Sequence, residues 1–262
     1  MIVYQPPNPV IFHIYGPLAV HWYGICYVLG FIVIFFYGRR LIRKKTNAPK
    51  LDQEDYNNFL FFSILGVLIG GRLGYMVFYD FHEFIINPIT FFKVYQGGMS
   101  FHGGLLGVLF SIIAFGKLKK KRLGQLLDFA SQLAPIGLGL GRIGNLINGE
   151  LWGRPTGMPW GIIYRNVDKI PRHPSQIYEF LLEGVILFFL LKWLARKEHP
   201  EYFLSGSFAI FYGIFRIIAE NFREPDHNIG FIIGHWLTMG QILSLPVLIL
   251  GLILVGLSRV QY

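Results

Sequence analysis

Apolar residues along this chain come in long unbroken stretches, not in the alternation of surface strands. Seven stretches are each close to the length of about 20 residues that an α-helix needs to cross a bilayer: Pro17–Tyr37, Asn58–Phe78, Met99–Phe115, Leu123–Leu140, Ile177–Leu194, Phe203–Ala219 and Trp236–Leu257. A spanning strand would need alternating apolar and polar positions within a closed barrel, so the pattern predicts helices. The expectation is an all-α integral membrane protein of seven transmembrane helices, one polytopic domain over residues 1–262. Only the connection at about 142–176 is long. Its Trp152, Trp160, Tyr164 and several prolines suggest a small ordered cap. No internal repeat and no Ser/Pro/Gly-rich linker divides the chain.

Composition agrees. Charged residues make up 15% of the 262, well short of the roughly 25% of soluble domains. Basic residues then set the expected orientation. Fifteen follow the first, third, fifth and seventh stretches, among them Arg39, Arg40, Arg43, Lys44, Lys45 and Lys117–Arg122; seven lie on the other side. By the positive-inside rule the N-terminus is expected outside and the C-terminus in the cytoplasm. The net charge of +9 then reflects topology, and no nucleic-acid partner is expected. The first fifteen residues lack a basic n-region, so no cleavable signal peptide is expected. The single cysteine, Cys26, excludes an internal disulfide and is expected to pack as a small buried apolar residue.

Ionisable residues inside spans normally face a partner or a cavity. With the predicted directions, Tyr23, Arg72, His102, Arg142, Asn145, Glu150, Glu179, Glu183, Arg216 and Glu220 all fall toward the outer side, so six helices contribute to one level. Asp128 falls at the inner end, with no evident role. On a helix of 100° per residue, Tyr212, Arg216, Glu220 and Arg223 occupy an arc of about 80°. Guanidinium groups on such a stripe suit an anionic headgroup, because each offers a fixed fork of donors to phosphate.

Glycines add two features. Gly66, Gly70, Gly71 and Gly74 have the small-residue spacing that lets membrane helices approach closely. Gly139, Gly141 and Gly144 match G-x-G-x-x-G, but that motif binds dinucleotides only between a strand and a helix, and here it ends a span. Among histidines, His102 beside Gly103 and Gly104 is either a base near neutral pH or a helix-capping residue. His173 is either a headgroup ligand or part of a cap with Ser175 as N-cap. His13, His21, His82, His199, His227 and His235 show no ligand spacing, so no metal site is expected.

These residues also resemble a known family. The segment GRIGNLINGELWGRPT at 141–156 closely resembles the signature of the bacterial phosphatidylglycerol–prolipoprotein diacylglyceryl transferases. HWYG at 21–24, the glycines after His102, RHPSQ at 172–176, YGIFR at 212–216 with Glu220, and FREPD at 222–226 are similar to it too. Leu146 stands where the signature has an aromatic residue. The resemblance implies a bacterial cytoplasmic (inner) membrane enzyme that moves diacylglycerol from phosphatidylglycerol to the lipobox cysteine of prolipoprotein signal peptides, without a cofactor. Its important positions fall here on Tyr23, His102, Arg142, Asn145, Glu150, Gly153, Arg216 and Glu220.

The residue chemistry fits that implication. A thiol has a pKa near 8.5 and needs help to ionise; His102 is the candidate base. A phosphate ester gains negative charge as it leaves, and Arg142 and Arg216 suit it, with Asn145 and Tyr23 as neutral donors and Glu150 and Glu220 orienting the arginines. Tyr212 and Arg223 extend the lipid-binding stripe. Two rivals remain: a transporter or channel with an intramembrane Arg/Glu site, and a lipid-binding scaffold, which would not need His102 or Tyr23.

Overall fold

The computed structural model describes residues 2–16, 18–44, 47–225, 230–234 and 236–260. Pro17, Lys45, Asp226, His227 and His235, all used above, lie outside the described residues.

The apolar stretches form the long helices. They are α1 (Trp22–Lys44), α2 (Gln53–Tyr79), the short α3 (Phe81–Ile86), α4 (Phe101–Leu118) and α5 (Leu123–Asn148). Next comes one continuous helical run made of α6 (Ser175–Glu179), a π-helical turn (Phe180–Ile186) and α7 (Leu187–Leu194), followed by α8 (Phe203–Glu220) and α9 (Met239–Val260). Five of them, α1, α2, α4, α8 and α9, are long and apolar enough to cross a membrane. Their outer faces carry exposed Phe36, Phe110, Ile249 and Leu252, which water would not tolerate in such number but lipid does. The protein is a multi-pass membrane protein. Helix α5 and the α6–α7 run are long as well but more polar, because they carry Asp128, Gln132, Arg142, Glu179 and Glu183.

The first helix begins at Trp22, not Pro17. The apolar residues before it form a hairpin of β2 (Val10–Tyr15) and β3 (Leu18–His21). Short apolar strands and the start of a span have the same composition, so the pattern could not separate them. Two further ribbons depart from the all-helical expectation. The N-terminal β1 (Ile2–Tyr4) pairs in parallel with β4 (Ile162–Tyr164), and β5 (Phe231–Ile233) pairs with β6 (Leu237–Thr238).

Helices α2 and α4 meet backbone to backbone. A Cβ on Gly103 would fall 2.9 Å from the Gly74 Cα, and one on Gly70 would fall 2.7 Å from the Gly107 Cα. Close approach of this kind is what small-residue spacing provides in lipid. This pair joins α1 and α5 through an aromatic cluster of Tyr56, Phe59, Phe115 and Phe129, with Leu126 and Leu133. The Tyr56 hydroxyl adds hydrogen bonds to the Ile34 and Phe35 carbonyls at 2.9 and 3.0 Å.

Two buried ions have structural roles. Arg72 donates to the carbonyls of Phe91 and Gly98 at 3.1 Å each, and to those of Thr90 and Gly97. It thereby gathers the α2–α4 connection around one guanidinium. Asp128 accepts from the Ser205 amide at 2.7 Å and from the Ser205 hydroxyl at 2.6 Å. Ser205 is the third residue of α8, whose own cap position, Tyr202, makes no side-chain cap. Asp128 therefore caps α8 from a neighbouring helix, satisfying an amide that the helix itself leaves free.

Candidate active site

The site forms where the C-terminal ends of α5 and α8 meet α6 and the turn after it. Arg142, in the last two turns of α5, has its guanidinium against two carboxylates: Nε is 3.0 Å from Glu179 Oε2, and Nη2 is 3.0 Å from Glu183 Oε2. Arg216, in the last two turns of α8, reaches the same pair from the other side. Its Nη1 lies 2.6 Å from Glu179 Oε1 and 3.5 Å from Glu183 Oε1, while Nη2 lies 2.7 Å from Glu220 Oε2. Arg223 Nη1 approaches Glu179 Oε1 at 3.8 Å. The cluster thus holds three arginines and three glutamates, and Glu179 and Glu183 are fully buried. Several of these contacts rest on charge alone: Glu179 Oε2, Glu183 Oε1 and Glu220 Oε2 lack an aligned hydrogen bond. Tyr212, one turn before Arg216, lies within electrostatic range of both arginines and both buried glutamates.

A second group borders the cluster. The Tyr23 ring packs on Gly144, where a Cβ would fall 2.7 Å from Tyr23 Cδ2, and its hydroxyl lies 3.2 Å from that of Tyr27. Tyr23 is also within electrostatic range of Arg142 and Glu150. Helix α5 stops at Gly149, which has φ +65°, a left-handed cap that glycine adopts without strain. That turn carries exposed Glu150 back over the helix end, where Asn145 Nδ2 donates to it at 3.4 Å and Asn148 Nδ2 at 3.2 Å. Adjacency in sequence suggested Glu150 as the orienting carboxylate of Arg142. The turn sends it elsewhere, and Glu179 and Glu183 take that place.

Residues 149–174 tie the helix ends together. The Gly153 amide donates to the His173 carbonyl at 2.9 Å, and a Cβ here would fall 2.6 Å from both His173 Cβ and the Phe222 oxygen. Gly153 therefore contributes as backbone, and it bridges to Arg223. The helical face predicted for Arg223 stops short, because α8 ends at Glu220; Arg223 reaches Glu179 from this bridge. Gln176, fully buried, donates to the Glu150 carbonyl at 2.6 Å and accepts from the Tyr164 hydroxyl at 2.9 Å. Burial pushes the Tyr164 phenol up to about 12.

Arg172 links Asp168 at 2.6 Å and Glu224 at 3.1 Å, and its hydrogen bond holds the Asp168 carboxyl below the usual carboxylate range. His173 contacts the Tyr178 hydroxyl at 3.1 Å and the Phe222 ring; burial lowers its pKa. It is a packed part of this segment. Ser175 is not the N-cap of α6, since Pro174 holds that position and the Ser175 hydroxyl donates to the Leu151 carbonyl at 2.7 Å.

His102 stands apart. It is exposed at the start of α4, edge-on to Phe101 at 5.6 Å. Among the described residues no hydrogen bond, ion pair or further ring contact joins it to the cluster.

Known proteins give the family of the chain. The family model described as Prolipoprotein diacylglyceryl transferase matches residues 9–257. The chain belongs to the prolipoprotein diacylglyceryl transferase family. A Coxiella burnetii (strain RSA 331 / Henzerling II) protein named phosphatidylglycerol–prolipoprotein diacylglyceryl transferase is 49% identical over 251 residues, covering 96% of this chain and 95% of its own length. A Legionella pneumophila (strain Corby) protein of the same name is 49% identical over 253 residues, 96% and 97% respectively. Membership in this transferase family favours an enzyme over the transporter and scaffold alternatives.

Proposed function

We propose that this chain transfers the diacylglyceryl group of phosphatidylglycerol to the cysteine thiol of a prolipoprotein lipobox. In that reaction the thiol gives its proton to a base and the sulfur bonds to the terminal glyceryl carbon of the diacylglycerol. The carbon–oxygen bond to phosphate breaks, and glycerol phosphate leaves with the bond's electron pair. The observation that carries the assignment is the approach of Arg142 and Arg216, from separate helices, to one buried pair of glutamates. Guanidiniums fixed in this way are prepared for charge that grows on a leaving phosphate, with no reorganisation at the moment of reaction. Tyr23 and Asn145 border the site as neutral donors.

His102 is the base in this scheme. Its ring is exposed and, among the described residues, carries no competing hydrogen bond, so the thiol of a second, lipid-embedded substrate can meet it from outside the arginine cluster. Arg142 and Arg216 are the phosphate-binding groups, with Glu220, Tyr212 and Arg223 shaping their surroundings. Glu150 and Gly153 hold the turn after α5.

The chain crosses the membrane seven times, α5 and the α6–α7 run being the two polar crossings. Their charged side chains pair with one another, which makes a lipid-surrounded path tolerable. The excess of basic residues after the first, third, fifth and seventh stretches supports an N-terminus and a 149–174 segment outside and a C-terminus in the cytoplasm of a bacterial inner membrane. Purified protein incubated with phosphatidylglycerol vesicles and a lipobox peptide should add one diacylglyceryl mass to the peptide. An unchanged peptide mass with well-folded protein would refute the assignment.

A further inference from the structure

Both arginines of the site lean on the same two side chains, and neither of those belongs to the signature segment. Glu179 touches Arg142, Arg216 and Arg223, and it alone among the described residues is ion-paired with three arginines. Glu183 touches the first two. Both carboxylates are fully buried, so their charge is tolerable only because the guanidiniums surround it.

The backbone is shaped to deliver them. Glu179 ends the α-helical first turn and a π-helical turn follows from Phe180 to Ile186, an irregularity that tends to mark functional positions. Within it, Gly184 lies against Gly139 of α5; a Cβ on Gly184 would fall 2.8 Å from the Gly139 Cα. Glu183 adjoins that contact and Arg142 lies three residues beyond Gly139 on α5, so the close crossing sets the 3.0 Å pair.

We infer that Glu179, assisted by Glu183, is the positioning residue that joins Arg142 and Arg216 into a single anion-binding unit. The inference rests on the proposed transfer reaction. Three carboxylates balance three guanidiniums, so the glutamates do not serve to attract the lipid; they hold the forks at a fixed separation and direction. The donors that remain for phosphate are the ones the glutamates leave open: Arg142 Nη1 and Arg216 Nε make no hydrogen bond among the described residues.

Glu179→Gln tests this, because it keeps the shape while removing the charge that both forks share. In full-length protein assayed with phosphatidylglycerol vesicles and a lipobox peptide, kcat should fall about tenfold to a hundredfold, the range of a small misplacement of catalytic groups. KM for phosphatidylglycerol should stay level or fall, since the cluster gains one positive charge. Unchanged kcat in folded protein would overturn the role. Glu183→Gln should show the same split more weakly, because Arg216 Nη1 keeps its 2.6 Å contact with Glu179. That variant decides the matter if Glu179→Gln does not fold, and full kcat in folded Glu183→Gln would then refute the role. Inactive wild-type protein would instead refute the transfer reaction itself.

Discussion

Arg216 reaches Glu179 across 2.6 Å and thereby fastens the end of α8 to the beginning of the α6–α7 run. Its partner within α8, Glu220, is almost as near at 2.7 Å, but that pair lies on one helix and fixes nothing between helices. The cross-helix pair fixes where the guanidinium stands relative to Arg142.

Replacing either arginine should separate charge from geometry. Arg142→Lys and Arg216→Lys keep the charge and lose the fork; each should lower kcat, and the alanine variants should lower it further, by about 10²–10³. The defect should appear in kcat as well as KM, because the phosphate gains charge in the transition state. Arg216→Ala also strands buried carboxylates, at about 3–5 kcal/mol, so thermal unfolding must accompany the kinetics. Normal turnover in a folded alanine variant would reduce that arginine to a helix staple.

His102→Gln should leave the unfolding temperature unchanged, since the ring is exposed and forms no hydrogen bond among the described residues. Turnover should fall by about 10²–10⁴, as expected when a general base is removed. Activity within a few-fold of wild type at neutral pH would assign the proton to another group.

The pH response of the 149–174 segment follows from two shifted groups. Asp168 titrates below its unfolded value, held down by Arg172. Its contribution is therefore complete above about pH 4 and is lost as pH falls through the lowered value. His173 also titrates low, because burial disfavours its charged form. Its neutral form contributes fully above about pH 6.5, and the contribution is lost as pH falls through the lowered pKa. An NMR titration in micelles should place the His173 midpoint below 6.5 and show no Asp168 transition between pH 5 and 8. A His173 midpoint at or above 6.5 would contradict the packed environment described for it.

Asp128→Ala should destabilise the protein by about 0.5–2 kcal/mol, the worth of a helix N-cap, without changing KM. Asp128→Asn, which still accepts from Ser205, should cost less. Equal effects of the two substitutions would show that the amide of Ser205 does not depend on this acceptor.

A reporter fused at the C-terminus should be active only in a cytoplasmic form. An exported C-terminus would reverse the proposed orientation.

Much of the fold was visible in the apolar runs, because lipid enforces both the helix and its length. The strands were not: Val10–His21 is as apolar as a span, and three-residue β1 and β4 carry no period long enough to detect. Within the site, Arg142, Arg216 and Glu220 stood out as charges where lipid forbids them. Their true connection did not, since Glu179 and Glu183 meet Arg142 only through the crossing at Gly139 and Gly184, and one chain's linear order does not reveal which helices cross. Beyond the helix ends the route is hidden for a related reason: the left-handed turn at Gly149 carries Glu150 away from its neighbour Arg142, and Arg223 reaches Glu179 from the bridge at Gly153 rather than along α8.

The guanidinium of Arg72 sets an order of events during synthesis. All four carbonyls that satisfy it lie 18 to 26 residues further along the chain. At a ribosomal pace of about 5–20 residues per second, α2 exists for roughly one to four seconds before its arginine has any of its final partners. Through that interval the helix cannot settle at its native depth without an unsatisfied charge, and water or the insertion machinery must shelter it. The α2–α4 pair is thus assembled in a fixed sequence: connection first, then the close seating of α4 on the glycines.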